Sequence, residues 1–238
     1  MHIEIRKSFQ QDQCLKNEMT HIALASYVDP KALLEREYIN NDTIFLLRNE
    51  EGELAAFFMN GIHTIHDEKI NYLGLACVSE RYKNSGFIIH LFLKYFEYLL
   101  ENRVTKNIWL TTPSEQIYKV ISIFANNVNP RLDFSFSHSA SILAEKIIRH
   151  KSFTSHEDNP FILKGAADPT KYSNEECIRQ SVKKASPFAI QLNHYQFNEQ
   201  RGDRIMVLCQ LPNMEKFTEI NRRFKRNSDH QKETALQD

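Results

Sequence analysis

Residues 73–100 read LGLACVSERYKNSGFIIHLFLKYFEYLL, and their pattern of apolar and polar residues is the most informative in the chain. A short apolar run ends at Val78 and predicts a strand. A polar turn follows over residues 79–86, after which apolar residues recur at positions 88, 91, 92, 95, 96 and 99. This spacing is that of one face of a helix. The stretch therefore predicts a strand, a turn and a helix in that order.

The turn brings Asn84, Ser85 and Gly86 to the start of the predicted helix. The first N–H groups of a helix have no intrahelical acceptor, and the helix dipole is positive at this end. Such a helix start can bind phosphate or another anion. Asn84 or Ser85 can alternatively act only as the cap of the helix, with nothing bound.

The segment from Val78 to Ile88 resembles the acyl-CoA-binding motif of the GNAT (Gcn5-related N-acyltransferase) family. In that motif a strand-ending Val and an aromatic residue precede Arg/Gln-x-x-Gly-x-Gly/Ala at the start of a helix. Tyr82 matches the aromatic residue and Gly86 the first glycine, whereas Lys83 and Ile88 replace the usual Arg or Gln and the second small residue. The resemblance implies that backbone amides of this turn hold the CoA pyrophosphate. The residues expected to bind the cofactor are Cys77, Val78, Lys83, Asn84, Ser85, Gly86, Phe87 and Ile88.

The elements around this stretch extend the resemblance over residues 1–126, which we interpret as a GNAT-like acyltransferase core. Their predicted order, β-α-α-β-β-β-α-β-α, is the order of the family's core. A right-handed connection from strand 70–78 through the helix to strand 107–112 makes these two strands parallel. The family implies that the pair splays apart and that the acyl chain enters the wedge. We expect an α/β (α+β) fold with a mixed, mostly antiparallel sheet, one splayed parallel pair and helices on both faces.

Residues 127–221 are predicted to form a C-terminal elaboration of this core. Helices are expected over 139–150 and 173–184, the second because Ser173 and Glu176 form a capping box. Two apolar runs at 188–192 and 203–211 predict a late hairpin that completes the sheet. Residues 222–238 are charged and lack an apolar stripe, which predicts a mobile tail or a frayed helix.

Composition narrows the classes of function. The 238 residues include 30 basic and 30 acidic side chains, so no global charge attracts nucleic acid or an acidic membrane. The four cysteines form no C-x-x-C pair and no secretory signal is recognisable at the start, so we expect reduced thiols in the cytoplasm. The longest apolar stretch, 87–100, contains His90, Lys94 and Glu97 and is too short to span a bilayer.

Acyl transfer to an amine needs a base for the nitrogen and an acid for the leaving thiolate. Tyr118 lies in Gln-Ile-Tyr-Lys-Val, which is similar to the segment whose Tyr protonates the CoA sulfur in the family, so Tyr118 is the expected acid. The alternative is a tyrosine packed on a helix flank with its hydroxyl in water.

The base is harder to assign, because strand 70–78 has no carboxylate. Glu80 and His66 are the candidates by position, and His63 lies in the same turn region as His66.

The sequence gives weaker support to two other kinds of site, a metal site and a nucleophilic cysteine. The pair His63 and His66 has a spacing that suits a metal on a helix, but this segment is predicted as a turn or strand, so no metal is expected. Cys77 next to an acyl-binding turn could carry an acyl group, but nothing near it in sequence lowers the pKa of its thiol. We therefore expect Cys77 to be a buried core residue.

The resemblance implies an acyl-CoA-dependent N-acyltransferase that joins an acyl group, with acetyl-CoA as the expected donor, to the amine of a small molecule, an amino acid or a lysine. Two alternatives stay open. An acyl carrier protein can replace CoA as the donor, because it has no adenosine diphosphate to place beside Ile88. A non-catalytic GNAT-like module that binds a ligand or partner would explain Lys83, Ile88 and the missing strand carboxylate together. The apolar surplus of helix 85–101 also leaves a homodimer open.

Overall fold

The computed structural model of the protein describes residues 1–102, 105–167 and 186–234. Its strands are β1 His2–Lys7, β2 Thr43–Arg48, β3 Leu54–Ile65, β4 Glu68–Val78, β5 Asn107–Thr112, β6 Asn126–Asn129, β7 Thr154–His156, β8 Asn159–Lys164 and β9 Arg204–Gln210. Its α-helices are α1 Gln13–Leu24, α2 Lys31–Asn40, α3 Phe87–Asn102, α4 Glu115–Phe124, α5 His138–Lys151, α6 Pro187–His194 and α7 Met214–Thr234.

Side-chain caps fix where several of these helices begin. The Asp12 carboxylate accepts from the Leu15 N–H at 2.9 Å and starts α1. Ser114 and Ser137 do the same for α4 and α5 by accepting from Ile117 N–H and Ala140 N–H. Each cap satisfies one of the N–H groups that a helix start leaves without an intrahelical acceptor.

The nine strands of the described residues form one sheet in the order β1-β2-β3-β4-β5-β9-β8-β7, and β6 also pairs with β9. Strands β4 and β5 are parallel, and the other pairs are antiparallel. Strand β9 lies directly between β5 and β8, so the C-terminal part of the chain completes the sheet that the first 126 residues begin. Nothing in this pairing separates the two parts into independent sheets.

Helices cover both faces of the sheet. On one face, α3, α4 and α7 pack on alternate residues of β2 to β5 and β9, with Phe58, Tyr95 and Phe124 among the buried side chains. On the other face, α1 and α2 cover β2 and β3, and α5 covers β5, β8 and β9. This burial on both sides stabilises the sheet because the central strands β2, β3, β8 and β9 bury side chains on both faces.

The fold class predicted from the sequence is confirmed. The element order of residues 1–126 is the predicted one, the sheet is mixed and mostly antiparallel, and β4 and β5 form the single parallel pair among the described strands. The fold is therefore GNAT-like in its element order and in its parallel pair, as the resemblance implies. The helix expected over 139–150 is α5, one residue longer at each end.

One predicted strand is wrong. Residues 188–192 lie in α6 instead of pairing with β9. The Ser186 hydroxyl accepts from the Ala189 N–H at 3.1 Å, and this cap starts a helix where a short apolar run had suggested a strand. The actual partner of β9 on the outer side is β8. The helix predicted over 173–184 lies outside the described residues.

The end of the described chain is helical. Residues 222–234, predicted as a mobile tail or a frayed helix, continue α7. Phe217 and Ile220 are buried against the α3 face, and the Phe224 ring stacks on Phe124 with centroids 5.8 Å apart. These three positions repeat at helical spacing, so the first half of α7 has the apolar stripe that holds it on the core.

Candidate functional site

Strands β4 and β5 pair over only two residues each and then separate. The register joins Asn71 to Ile108 and Tyr72 to Trp109, after which no further pairing between these strands occurs. Strand β4 is also irregular against β3, because Phe58 faces Ala76 whereas Asn60 faces Leu73. Two residues of β4, Gly74 and Leu75, thus lie opposite the single residue Met59, which is a β-bulge. The bulge and the separation open the sheet at this point.

A cavity of about 260 Å³ occupies the opening. Its walls are residues 72–76 of β4, residues 110–114 at the end of β5, and Gln116 and Ile117 of α4. The remaining lining comes from the turn after α1, from α2 and α3, and from β9: Ser26, Tyr27, Leu33, Arg36, Glu37, Phe92 and Arg204. The cavity is therefore lined by elements from both faces of the sheet.

Glu37 is the carboxylate among the described residues that line this cavity, and it is only 3% exposed. The Tyr72 hydroxyl lies 3.3 Å from each of its two oxygens, and Asn41 Nδ2 donates to Oε2 at 3.1 Å. Arg36 Nη2 lies 3.5 Å from Oε1. Glu37 is not among the site residues predicted from the sequence. The one feature that could have indicated a buried Glu37 is its position on the same face of α2 as Leu34 and Tyr38.

The Tyr72 side chain is held between this carboxylate and two aromatic rings. Its ring stacks on His63 at 4.8 Å and contacts Trp109 at 4.6 Å between centroids. Burial, together with the neighbouring Glu37 carboxylate, raises the pKa of Tyr72 well above its usual value. Tyr72 is therefore a neutral donor to Glu37 at physiological pH.

His63 stacks on the Tyr72 ring and is not among the residues that line the cavity. Its Nε2 is 2.9 Å from the Asn40 carbonyl oxygen, so this nitrogen carries the hydrogen. Burial lowers the pKa of His63 to about 4, and the ring is neutral at physiological pH. His63 therefore packs beneath the site and does not line it.

The turn between β4 and α3 provides an open helix start. A 3-10 turn covers Glu80–Tyr82, Asn84 and Gly86 have φ values of 68° and 80°, and α3 begins at Phe87. Among the described residues, the backbone N–H groups of Gly86, Phe87 and Ile88 have no acceptor. A Cβ added at Gly86 would meet no atom within 4 Å. These features are those of a helix start that can bind an anion, and the binding itself stays a prediction.

The Lys83 side chain points elsewhere. Its ammonium pairs with Glu80 at 2.8 Å and donates to the Ala25 carbonyl at 2.8 Å, beyond the end of α1. Lys83 thus ties the turn to α1, and Glu80, which is half exposed, serves this ion pair and does not line the cavity. Both side chains thus lie in this ion pair and outside the lining of the cavity, and their predicted roles at the site stay predictions.

Tyr118 is also placed away from the cavity. It is 2% exposed, its hydroxyl donates to the Pro130 carbonyl at 2.6 Å, and its ring packs on Phe188. Burial raises the pKa of Tyr118. The neighbouring residues Gln116 and Ile117 line the cavity instead. The hydroxyl is therefore bound within the core, which differs from both expectations, a catalytic acid and a hydroxyl in water.

The remaining predicted residues lie in three different places. His66 lies with Asp67 in the exposed two-residue turn between β3 and β4, at the end of β4 remote from the opening. Cys77 is buried among α1 side chains, on the face of the sheet away from α3. Val78, Phe87 and Ile88 are partly buried against the core under α3.

Residues 1–102, 105–167 and 186–234 lack two further kinds of site. No group of three His, Cys, Asp or Glu side chains there is arranged to hold a metal ion. No helix there combines the length and apolar character needed to cross a membrane.

Comparisons with known proteins give structural matches only. No family model matches the sequence, and no curated protein is significantly similar to it. A GNAT family N-acetyltransferase from Escherichia coli in complex with CoA matches at 12% identity and a TM-score of 0.41, covering 50% of this chain and 66% of that one. The ribosomal-protein-S18-alanine N-acetyltransferase from Escherichia coli matches at 12% identity and a TM-score of 0.43, covering 88% and 94%.

A GNAT family acetyltransferase from Brucella melitensis in complex with acetyl-CoA matches at 15% identity and a TM-score of 0.37, covering 50% of this chain and 80% of that one. This chain spans just under two thirds of the first of these structures. At such identities the matches assign neither an activity nor a substrate to it.

Proposed function

We propose that this chain transfers an acyl group from acyl-CoA to an amine by direct attack, with no acyl-enzyme intermediate. The observation that carries the proposal is the opening between β4 and β5. It forms a cavity at the carboxyl half of β4, and the same strand leads into a helix start whose N–H groups have no acceptor. A linear donor with phosphates at one end and a thioester at the other matches this arrangement.

The donor side of the site relies on backbone groups. The pyrophosphate of CoA would accept from the N–H groups of Gly86, Phe87 and Ile88, where the α3 dipole is favourable. Beyond Tyr72, the groups with which β4 would pair to β5 face the cavity, since the two strands have separated. An N–H of the segment 74–76 is suited to stabilise the oxyanion of the tetrahedral intermediate.

The chemistry balances without a covalent enzyme intermediate. The amine nitrogen attacks the thioester carbonyl, a C–N bond forms, and the C–S bond breaks. The nitrogen gives up a proton, and the departing thiolate takes one up, so that the products are an amide and a free thiol. Acetyl-CoA is the proposed donor, and the acceptor enters from the side of the sheet that α1 and α2 cover.

Calorimetric titration with CoA and acetyl-CoA, together with amine-dependent thiol release, tests this proposal. Ser85→Asp places a negative charge where the pyrophosphate would lie, and the matched control is Ser139→Asp at the start of α5. Both serines are exposed, and each hydroxyl makes one hydrogen bond within its own turn. We expect Ser85→Asp to weaken CoA binding about tenfold or more, which is about 1.4 kcal/mol, and Ser139→Asp to leave it unchanged.

Equal weakening by both variants would contradict a site at α3. An absence of CoA binding by the unmodified protein would contradict the proposal. The donor would then be an acyl carrier protein, or the chain would be a non-catalytic module that binds a ligand or partner. Gel filtration of the same sample reports whether the chain forms a homodimer.

A further inference from the structure

We infer that Glu37 binds the acceptor as a cation and takes its proton, so that the substrates are strongly basic amines that arrive as ammonium ions. This inference rests on the proposed acyl transfer and concerns the other half of the same cavity. Glu37 would be the general base that β4 lacks. It lies on α2, a helix that no motif in the sequence connects with the site.

The burial of Glu37 requires compensation that the described residues only partly provide. A buried carboxylate is costly unless it is paired and hydrogen-bonded. The Tyr72 and Asn41 donors lie at 3.1–3.3 Å and Arg36 at 3.5 Å, which is the long end of the range for such bonds. Charge-assisted bonds to a carboxylate are usually shorter. A ligand ammonium in the cavity would supply the missing short bond.

The position of Glu37 suits an incoming amine. Glu37 and Tyr72 both line the cavity, and Tyr72 is also the last β4 residue paired with β5. The carboxylate therefore lies beside the point where the strands begin to separate. An ammonium held there would face the segment 73–76, along which the thioester is proposed to lie.

The surrounding charges come from four elements. Arg36 lies on the same helix, Tyr72 on β4 and Arg204 on β9, and Lys151 on α5 is close enough for Glu37 to act on it electrostatically. Lys151 donates to the Asn40 side chain at 3.2 Å, lies over the Trp109 ring and does not line the cavity. Arg204 donates to the Asp203 carbonyl. None of the described contacts places either cation on the Glu37 carboxylate.

The acceptor nitrogen loses two protons during the proposed reaction. The ammonium gives its first proton to a Glu37 oxygen and becomes a nucleophilic amine. Attack on the thioester forms the C–N bond, and a second proton passes from the nitrogen to the leaving sulfur, with the products amide and free thiol. Glu37 then returns its proton to water. General-base catalysis of this kind contributes typically 10²–10⁴-fold.

The test compares Glu37→Gln with Glu35→Gln, an exposed carboxylate on the same helix. Two acceptors are used: an aliphatic primary amine, which is charged at pH 7, and hydroxylamine, which is largely neutral there. We expect Glu37→Gln to lower kcat/KM for the aliphatic amine about 100-fold or more. The loss for hydroxylamine should be less than about threefold, because that nucleophile needs no prior deprotonation. Glu35→Gln should change neither, and acetyl-CoA binding should persist in both variants.

A loss of equal size for the two acceptors, or no loss for either, would overturn the inference. Tyr72→Phe provides a second variant that keeps the carboxylate. It removes one donor that positions the Glu37 carboxylate, so kcat/KM should fall more for the aliphatic amine than for hydroxylamine. Equal effects on the two acceptors would also count against Glu37. Failure of the proposed function itself is distinguishable, because the unmodified protein would then neither bind acetyl-CoA nor release thiol.

Discussion

Replacing Tyr118 with Phe tests whether this residue acts in the core or in catalysis. The substitution removes one oxygen and leaves the ring on Phe188. The Pro130 carbonyl then loses the donor that lies 2.6 Å away in a buried setting. A buried acceptor without a partner costs about 1–3 kcal/mol. Taking about 1.5 kcal/mol, and roughly 2–4 °C per kcal/mol for a chain of this size, the melting temperature should fall by roughly 3–6 °C.

The assay is thermal unfolding together with kcat measured well below the melting temperature. Tyr98→Phe is the matched control, because Tyr98 is half-buried and its hydroxyl has no hydrogen-bond partner among the described residues. We expect kcat of Tyr118→Phe to stay within about twofold of the unmodified protein, whereas loss of a general acid typically costs 10²–10⁴-fold. A loss of kcat in that range with an unchanged melting temperature would refute the structural role and restore the catalytic one.

Two further predictions concern the surroundings of Glu37. In Gly74→Ala, the added Cβ would lie 2.5 Å from Asn41 Oδ1, which should displace Asn41 and destabilise the protein by about 1–3 kcal/mol; denaturant unfolding should show that adding Asn41→Ala restores part of this loss. Burial holds the pKa of His63 at about 4, below the usual 6.5, so its contribution to stability is present above pH 6.5 and is lost as the pH falls towards 4. The loss is at most about 3 kcal/mol, and urea unfolding at several pH values should show a flatter profile for His63→Phe.

Most of the fold could be predicted because its signals are local. The stripe at 91, 92, 95, 96 and 99 is the buried face of α3, and strand, turn and helix follow as the spacing indicates. The failure at 188–192 has a physical cause. Short apolar runs do not distinguish strand from buried helix, and the Ser186 cap decided the outcome. The pairing of β9 with β8 depends on contacts that no local pattern specifies.

The acceptor side of the site could not be predicted in the same way. Glu35, Arg36 and Glu37 are three consecutive charged residues in the sequence. Only the packing of α2 against β4 buries Glu37 and leaves Glu35 exposed. Its partner Tyr72 lies 35 residues away. The apolar face shared by Leu34, Glu37 and Tyr38 is the one local sign, and a charged residue on such a face is a reason to expect a buried role.

On the donor side, by contrast, the proposed contacts come from backbone groups and not from particular side chains. Ile88 stands where a small residue is usual, but its side chain packs against the core under α3. The groups that would meet a phosphate at the helix start are backbone N–H groups, which every residue type except proline provides. The Lys83 ammonium is held by Glu80 and the Ala25 carbonyl and holds the turn in place. The residues at 83 and 88 thus make contacts that leave the backbone N–H groups of the proposed anion site exposed to a ligand, so the geometry of the turn is a better basis for the proposal than motif similarity.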